Sequence, residues 1–364
     1  MRIAFKRILT GAAIVLFATQ IFCSQNAMAE GETRKPNIVF FLVDDLGWPD
    51  VGCYGSSFYE TPAIDQLAKE GVLFNNAYST CHVCSPSRAS ILTGKYPART
   101  NLTDWGGGRP ERDYEKLHSG ERVSRLPVDE QTLAETLRRH GYATANYGKT
   151  HVGRDPKTFG FDEAIAGWVT SYYYPFGKAY DKTLPAKEGD YFTDKLTDVA
   201  LDFIERKKDQ PFFVHMEHFA VHDPIQGRRD LVAKYQKKLD AMPRSEGPNH
   251  IVEGNPDDPE LTEEELEAIV ANKSHALCKE KRAWWVSQKQ ENFEYAPLVE
   301  SMDESLARIR AKLKALGLEE NTIIVFTSDN GGMVSGNSWP LKKTKQWLEE
   351  GGIRVPFLMQ WPKY

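Results

Sequence analysis

Four stretches of this chain are apolar almost without interruption, and each ends in a polar cluster. The first, Asn37-Ile38-Val39-Phe40-Phe41-Leu42-Val43, has the β-branched and aromatic character of a strand covered on both faces, and it stops at Asp44-Asp45-Leu46-Gly47. Tyr142 to Tyr147 predicts a second strand leading into Gly148-Lys149-Thr150-His151, and Pro211 to Phe219 a third followed by Ala220-Val221-His222-Asp223-Pro224. Thr322 to Thr327 predicts a fourth, ending in Ser328-Asp329-Asn330, and one more apolar run lies just before Tyr364. Amphipathic periodicity predicts helices over Thr61 to Gly71, Gln131 to His140, Phe192 to Lys207 and Tyr295 to Leu316, with Thr61-Pro62 as cap and first turn of the earliest. Buried strands alternating with helices give an α/β fold whose central, mostly parallel sheet is flanked by helices.

In open parallel sheets ligands bind beyond the carboxyl ends of the strands. A Lys and a His in one loop are ordinarily just solvated, and the Asp pair taken alone reads equally well as a solvated turn with a helix cap. Here polar residues of chemical types recur at one topological position: Asp44-Asp45, Lys149 with His151, His222, and Asp329-Asn330. Adjacent buried carboxylates are costly unless a cation offsets them. Asp44, Asp45, Asp329 and Asn330 offer only oxygen, which favours Ca²⁺ or Mg²⁺ over zinc. His215 and His218 fall inside the third strand, so His222 is the better candidate for chemistry.

Residues 1–29 stand apart. Arg2, Lys6 and Arg7 precede an apolar run, and Ala27-Met28-Ala29 has the form of a signal-peptidase site, so a signal peptide is expected over 1–29 and a linker over 30–36. The catalytic domain then runs from 37 to 364, with a charge-rich insertion at about 226–290 that would shape the rim of the site. Losing three of the 46 basic residues with the leader leaves 43 against 51 acidic ones, so attraction of an anion must be local. That balance offers nothing to nucleic acid, and no stable membrane partner is expected. Cys53, Cys81, Cys84 and Cys278 are too few for a disulfide scaffold.

The densest chemistry lies at Cys84-Ser85-Pro86-Ser87-Arg88-Ala89-Ser90-Ile91-Leu92-Thr93-Gly94. Pro86 suits the first turn of a helix and Gly94 its end, so a helix begins at a reactive residue. Its free N–H groups favour an anion there, and Arg88 adds a planar fork suited to an oxyanion. Cys81 and Cys84 also form a CxxC pair, but no second metal-binding pair accompanies them.

This segment resembles the signature of the type I, formylglycine-dependent sulfatases, which are arylsulfatase-like members of the alkaline-phosphatase superfamily. Further blocks match along the chain, among them NIVFFLVDDLG, GYATANYGKTHVG, FAVHDP, TIIVFTSDNGG and LKKTKQWLEEGGIRVP. The resemblance implies an alkaline-phosphatase-like fold, with Cys84 oxidised to formylglycine (3-oxoalanine) by a maturation enzyme. It implies Ca²⁺, with Mg²⁺ less favoured, on Asp44, Asp45, Asp329, Asn330 and an oxygen of the modified Cys84. Arg88, Lys149 and Lys345 would bind sulfate and stabilise the aldehyde hydrate, with His151 as its base and His222 or Lys345 assisting the leaving alcohol. The expected activity is hydrolysis of a sulfate ester, in a periplasmic or secreted enzyme whose substrate is a sulfated small molecule or glycan. The aromatic cluster Trp168 to Phe176 reads first as a core-edge loop and alternatively, together with Trp105, as candidate faces for sugar rings. Relatives usually continue past the GGIRVP block, so a C-terminal subdomain is expected to be missing or truncated. The alternatives are a phosphatase or phosphodiesterase of the same superfamily, and a non-catalytic protein that binds sulfated glycans.

Overall fold

The structure is a computed structural model that describes residues 34–106, 108, 116–153, 155–166, 173–174, 184–243, 250–253, 260–272 and 284–364. The expected leader at 1–29, residues 30–33 of the linker, Cys278, and all of the cluster Trp168 to Phe176 except Tyr173 and Tyr174 lie outside the described residues.

Strand β1 (Asn37–Val43) sits at the middle of a seven-stranded sheet, between β8 (Thr322–Ser328) and β5 (Phe212–His218). Beyond β5 come β3 (Ala143–Gly148) and β4 (Glu163–Ala166); beyond β8 come β9 (Phe357–Gln360) and β2 (Val72–Leu73). From β8 to β4 the strands run parallel, whereas β9 is antiparallel to both of its neighbours. The apolar runs became interior strands because both faces of the sheet are covered. On one face, α5 (Phe192–Arg206) and α8 (Ala296–Ala315) bury Leu196, Ala200 and Phe203 against Leu298, Met302, Leu306, Ile309 and Leu313. Those α8 positions follow the three- and four-residue spacing of one helix face. On the other face, α2 (Cys84–Thr93), which the short α3 (Pro97–Thr100) follows, and α4 (Leu133–Arg139) bring Ala89, Leu92 and Ala134 onto Phe159, Phe161 and Phe213. Truncating Leu306 to Ala in such a layer would cost about 2–5 kcal/mol.

Two local findings differ from the sequence expectation. Thr61 makes no cap hydrogen bond to α1 (Pro62–Glu70); instead the Asp303 carboxylate, reaching across from α8, accepts from Ala63 N at 3.1 Å and Ile64 N at 2.8 Å. A cap supplied from 240 residues away leaves no mark in the local sequence. Within the charge-rich stretch, helix α6 (Arg229–Ala241) buries Leu231 and Tyr235 in the main core, with Tyr235 against Phe58 at 5.6 Å between ring centroids. The later part of that stretch forms a separate two-stranded ribbon of β6 (His250–Glu253) and β7 (Trp284–Ser287), with α7 (Glu263–Asn272) between them in sequence.

Candidate active site

Parallel register brings the polar clusters together. Val43 pairs with Ser328 and Gly148 with Glu217, so β1, β8, β3 and β5 end at nearly the same level. Asp329 N donates to Val43 O at 3.2 Å, and Ser328 Oγ accepts from Leu46 N at 3.0 Å, which joins the turns after β1 and β8. Asp44 N donates to Ala220 O at 2.9 Å and Val221 N to Asp44 O at 2.8 Å, tying the His222 loop to the same rim. Asp45 and His151 hold left-handed backbones, with φ of 62° and 49°. Asp tolerates this conformation readily, whereas for His it is a local strain of the kind found at functional sites. Gly148 is obligatory: at φ 114°, an added Cβ would lie 1.8 Å from Glu217 O.

The side chains of Asp44, Asp45 and Asp329 are wholly buried, and their ligand atoms lie within 4.8 Å of one another. Each carboxylate has its own cation. Lys149 Nζ contacts Asp44 Oδ2, Lys345 Nζ is 2.7 Å from Asp45 Oδ2, and Arg88 Nε is 2.8 Å from Asp329 Oδ2. His222 Nε2 stands 3.5 Å from Asp45 Oδ2, while its Nδ1 is 2.8 Å from Asp223 O, a distance at which Nδ1–H donates. Asn330 Nδ2 donates to Asp45 Oδ1 at 2.8 Å.

Helix α2 starts at Cys84, and its N-cap residue Val83 supplies no side-chain hydrogen bond to the first turn. Gly94 closes the helix at φ 69°. Cys84 Sγ lies 3.1 Å from His151 Nδ1. Cys81 Sγ turns instead to His82 Nδ1 at 3.7 Å, and both cysteines are free thiols, so the CxxC pair is not a disulfide. One turn into the helix, Arg88 is turned inward, towards the buried carboxylates. Its Nη2 is 3.3 Å from Asp44 Oδ1, its Nη1 is 3.5 Å from Glu217 Oε1, and it donates to Lys149 O. Buried carboxylates on three sides hold the guanidinium more strongly than an open cleft would.

Burial and charge set the protonation states. His151 is pushed down to about 2 by burial, with Lys149 and Arg88 adding to the effect, so its imidazole is neutral. Burial, then Lys149, also lowers His222. Cys84 is raised by burial, which Lys149 and Lys345 offset only in part, so the unmodified thiol keeps its proton. Desolvation would raise Asp44, but Lys149 and Arg88 together outweigh it and hold the carboxyl well below its usual range. Asp329 goes the other way, up to about 7, because burial and the neighbouring Asp44 and Asp45 outweigh Arg88.

The donor set fits a hard cation. Asp44 Oδ1 and Asn330 Oδ1 are buried without a hydrogen-bond partner, and together with Asp45 and Asp329 they form an oxygen-only group. All the residues singled out from sequence therefore meet at this rim: Asp44, Asp45, Cys84, Arg88, Lys149, His151, His222, Asp329, Asn330 and Lys345. Two further residues do as well. Glu217 faces Arg88 from inside β5, and its signal was a lone carboxylate in an apolar strand run. Tyr173 OH donates to His222 O at 2.8 Å and is fully buried, so this member of the aromatic cluster buttresses the His222 loop and is no sugar-facing wall.

Comparison with known proteins adds an independent line. The family described as Sulfatase matches residues 36–364. N-acetylgalactosamine-6-sulfatase of Homo sapiens is 29% identical over 92% of this chain and 58% of its own length. N-acetylgalactosamine-6-O-sulfatase of Bacteroides thetaiotaomicron is 29% identical over 93% of this chain and 70% of its own length. Among solved structures, Ps i-CgsB in complex with k-i-k-neocarrahexaose has TM-score 0.65 and 28% identity, covering 91% of this chain and 66% of that one. BT4656 in complex with its substrate D-glucosamine-2-N,6-O-disulfate has TM-score 0.63 and 25% identity, covering 91% of this chain and 72% of that one. The present chain thus spans about 58% of the human relative's length.

Proposed function

Because the chain belongs to the sulfatase family, we propose that it hydrolyses sulfate esters of carbohydrates at the rim built around Cys84. The observation that carries this reading is Cys84 Sγ at the start of α2, 3.1 Å from a neutral His151 and beside a buried carboxylate group with Lys149 and Lys345. An unmodified Cys84 would be a protonated thiol and a poor nucleophile. Oxidised to formylglycine by a maturation enzyme and hydrated, it supplies one hydroxyl to attack sulfur and a second whose deprotonation lets sulfate leave by C–O cleavage. Ca²⁺, with Mg²⁺ as the weaker alternative, would be held by Asp44, Asp45, Asp329 and Asn330 with an oxygen of the modified Cys84, and would offset negative charge developing on oxygen.

The chain's own residues do the rest. Lys149 and Lys345 are charged and buried beside the reacting position, where they orient a sulfate in place of water. Arg88 fixes Asp329, Asp44 and the Lys149 carbonyl, so its work is to hold the geometry from behind. His151 Nδ1 is placed to take a proton at the position of the Cys84 side chain, and its neutrality keeps that acceptor open across the ordinary pH range. His222 Nε2 and Lys345 Nζ both face Asp45; Lys345 carries the proton for the departing alcohol, and His222, whose Nδ1–H is held by Asp223 O, can assist only by relaying at Nε2 a proton taken from Lys345.

The carbohydrate class is supported by the names of the relatives and by the saccharides bound in the two neighbouring structures. A cavity of about 360 Å³, lined by Asn292, Phe293, Ser335 and Lys289 among others, adjoins the His222 loop through Ser335 Oγ, which donates to Asp223 Oδ1 at 3.1 Å. That volume suits a saccharide unit. The oxygen-only donor set also speaks against a two-zinc phosphatase, whose ions need histidine ligands. We read 1–29 as a leader that exports the enzyme to the periplasm or beyond, where sulfated glycans are found.

Cys84→Ala is expected to abolish release of free sulfate while leaving the fold unchanged by circular dichroism, and turnover retained by that variant would sink the assignment. For the substrate class, kcat/KM on a sulfated mono- or oligosaccharide should exceed that on p-nitrophenyl sulfate at least about tenfold, or roughly 1.4 kcal/mol of transition-state binding. Turnover of the aryl ester with none across a glycan panel would defeat the carbohydrate reading.

A further inference from the structure

Glu217 is a buried carboxylate that no step above uses. It lies in the interior of β5, wholly inaccessible, and is not among the three carboxylates that could share an ion. Its backbone is fixed on both sides, with Leu42 and Gly148 opposite and Glu217 O accepting from Lys149 N at 2.9 Å. Neither carboxylate oxygen makes a hydrogen bond of ordinary geometry, although Asn146 and Thr150 stand close by. His215 Nδ1 is 3.6 Å away and is already turned to Asn146 Oδ1 at 3.1 Å. Among the described residues its cationic partner is Arg88, at 3.5 Å. A buried carboxylate so poorly satisfied is a cost to folding, and such a cost calls for an explanation.

Charge at the rim supplies one. Arg88, Lys149 and Lys345 are three cations, and Asp44, Asp45 and Asp329 alone would match them. The arginine and a metal ion would then compete for the same oxygens of Asp44 and Asp329. A fourth carboxylate on the far side of the guanidinium changes this in two ways. It offsets part of the guanidinium's positive charge, which would otherwise oppose an ion at Asp44 and Asp329, and when ionised it leaves the rim with an excess of one negative charge. We propose that Glu217 is a positioning residue for the cation: by offsetting the charge of Arg88 from behind, it lowers the repulsion that the guanidinium presents to an ion on Asp44 and Asp329. This rests on the metal reading given above and does not depend on the sulfatase activity.

Calorimetric titration of Ca²⁺ into the chelator-stripped full chain tests it. Glu217→Gln keeps the shape and removes the charge, and is expected to weaken Ca²⁺ binding about tenfold or more, since one charge removed within a buried cluster acts at short range. Glu217→Asp keeps the charge but retracts it by one methylene, and should fall between. A merely structural role would lower the melting temperature of the stripped protein and leave the Ca²⁺ dissociation constant alone. Binding by Glu217→Gln within twofold of the parent would therefore overturn the proposal, as would both variants failing to fold. A parent chain that takes up neither Ca²⁺ nor Mg²⁺ would overturn the metal reading itself, an outcome separable from the first because it is seen without any substitution.

Discussion

Two parts of the chain are dense in charged residues, and they fold to opposite conditions. At the strand ends Asp44, Asp45, Arg88, Lys149 and Asp329 are each 1% exposed or less. Along α6 and the segment before it, Arg228, Lys234 and Lys238 meet Glu60, Glu300 and Glu304 with side chains 13% to 41% exposed. Both regions pair carboxylates with Lys and Arg. The difference lies in the backbone beneath them, because parallel strands in register deliver their last residues to one place, whereas a helix spreads its charges around a cylinder. Convergence forces desolvation, and desolvation turns an ion pair from a surface ornament into a device for fixing geometry and protonation.

The sharpest way to break that contrast is to remove a cation at the rim. Arg88→Leu would leave Asp44, Asp329 and Glu217 without their shared partner. It should cost about 3–5 kcal/mol, read from urea denaturation at pH 8, and abolish sulfate release even where the fold survives. A cost under about 1 kcal/mol would mean that the rim is far better solvated than its burial indicates.

The comparison also explains what could be read in advance. The strand ends were legible because a continuous apolar run followed abruptly by Asp-Asp or Asp-Asn is a one-dimensional signal, and β1 begins and ends where its run does, at Asn37 and Val43. The helix start at Cys84 was legible for the same reason, with Pro86 and Gly94 marking its two ends. The direction of Arg88 was not, since a side chain's rotamer depends on which carboxylates surround it, and one of them, Glu217, sits in a strand 129 residues later. Asp303 as the cap of α1 and the burial of Tyr235 are likewise long-range facts. Within the charge-rich stretch, composition described the exposed face of α6 and hid the two positions that pack.

A second, smaller effect sharpens the contrast through neutral residues. His215 and His218 are both pushed down to about 3 by burial in β5, with Arg88 contributing at His215. The unfolded chain takes up their protons near pH 6.5 while the folded chain does not, so below that value the unfolded state binds more protons and stability falls as pH falls. The window runs from about 6.5 down to about 3, and each histidine contributes up to about 1.4 kcal/mol per pH unit within it. Replacing His218, whose Nε2 meets Ser305 Oγ at 2.9 Å, with Gln should remove close to one proton from the slope of unfolding free energy against pH. An unchanged slope would show that His218 protonates in the folded state.

The smallest expected effect belongs to the exposed charges. Lys234 Nζ lies 2.6 Å from Glu60 Oε2 and 2.8 Å from Glu300 Oε1, distances as short as those at the rim. Yet the Lys234 and Glu60 side chains are 38% and 41% exposed, so water and salt screen the attraction and both must be ordered to make it. A double-mutant cycle on Lys234→Ala and Glu60→Ala should return a coupling of about 0.2–1 kcal/mol that shrinks on going to 1 M salt. Burial raises Asp329 and Glu217 toward 7 at the rim, whereas the lysines beside Glu60 outweigh its slight burial and hold it below its usual value. Because the contact distances match, exposure is the variable that separates the two regions. A coupling at Lys234–Glu60 as large as the cost of Arg88→Leu would show that proximity alone sets these energies, and the distinction drawn between rim and surface would fall.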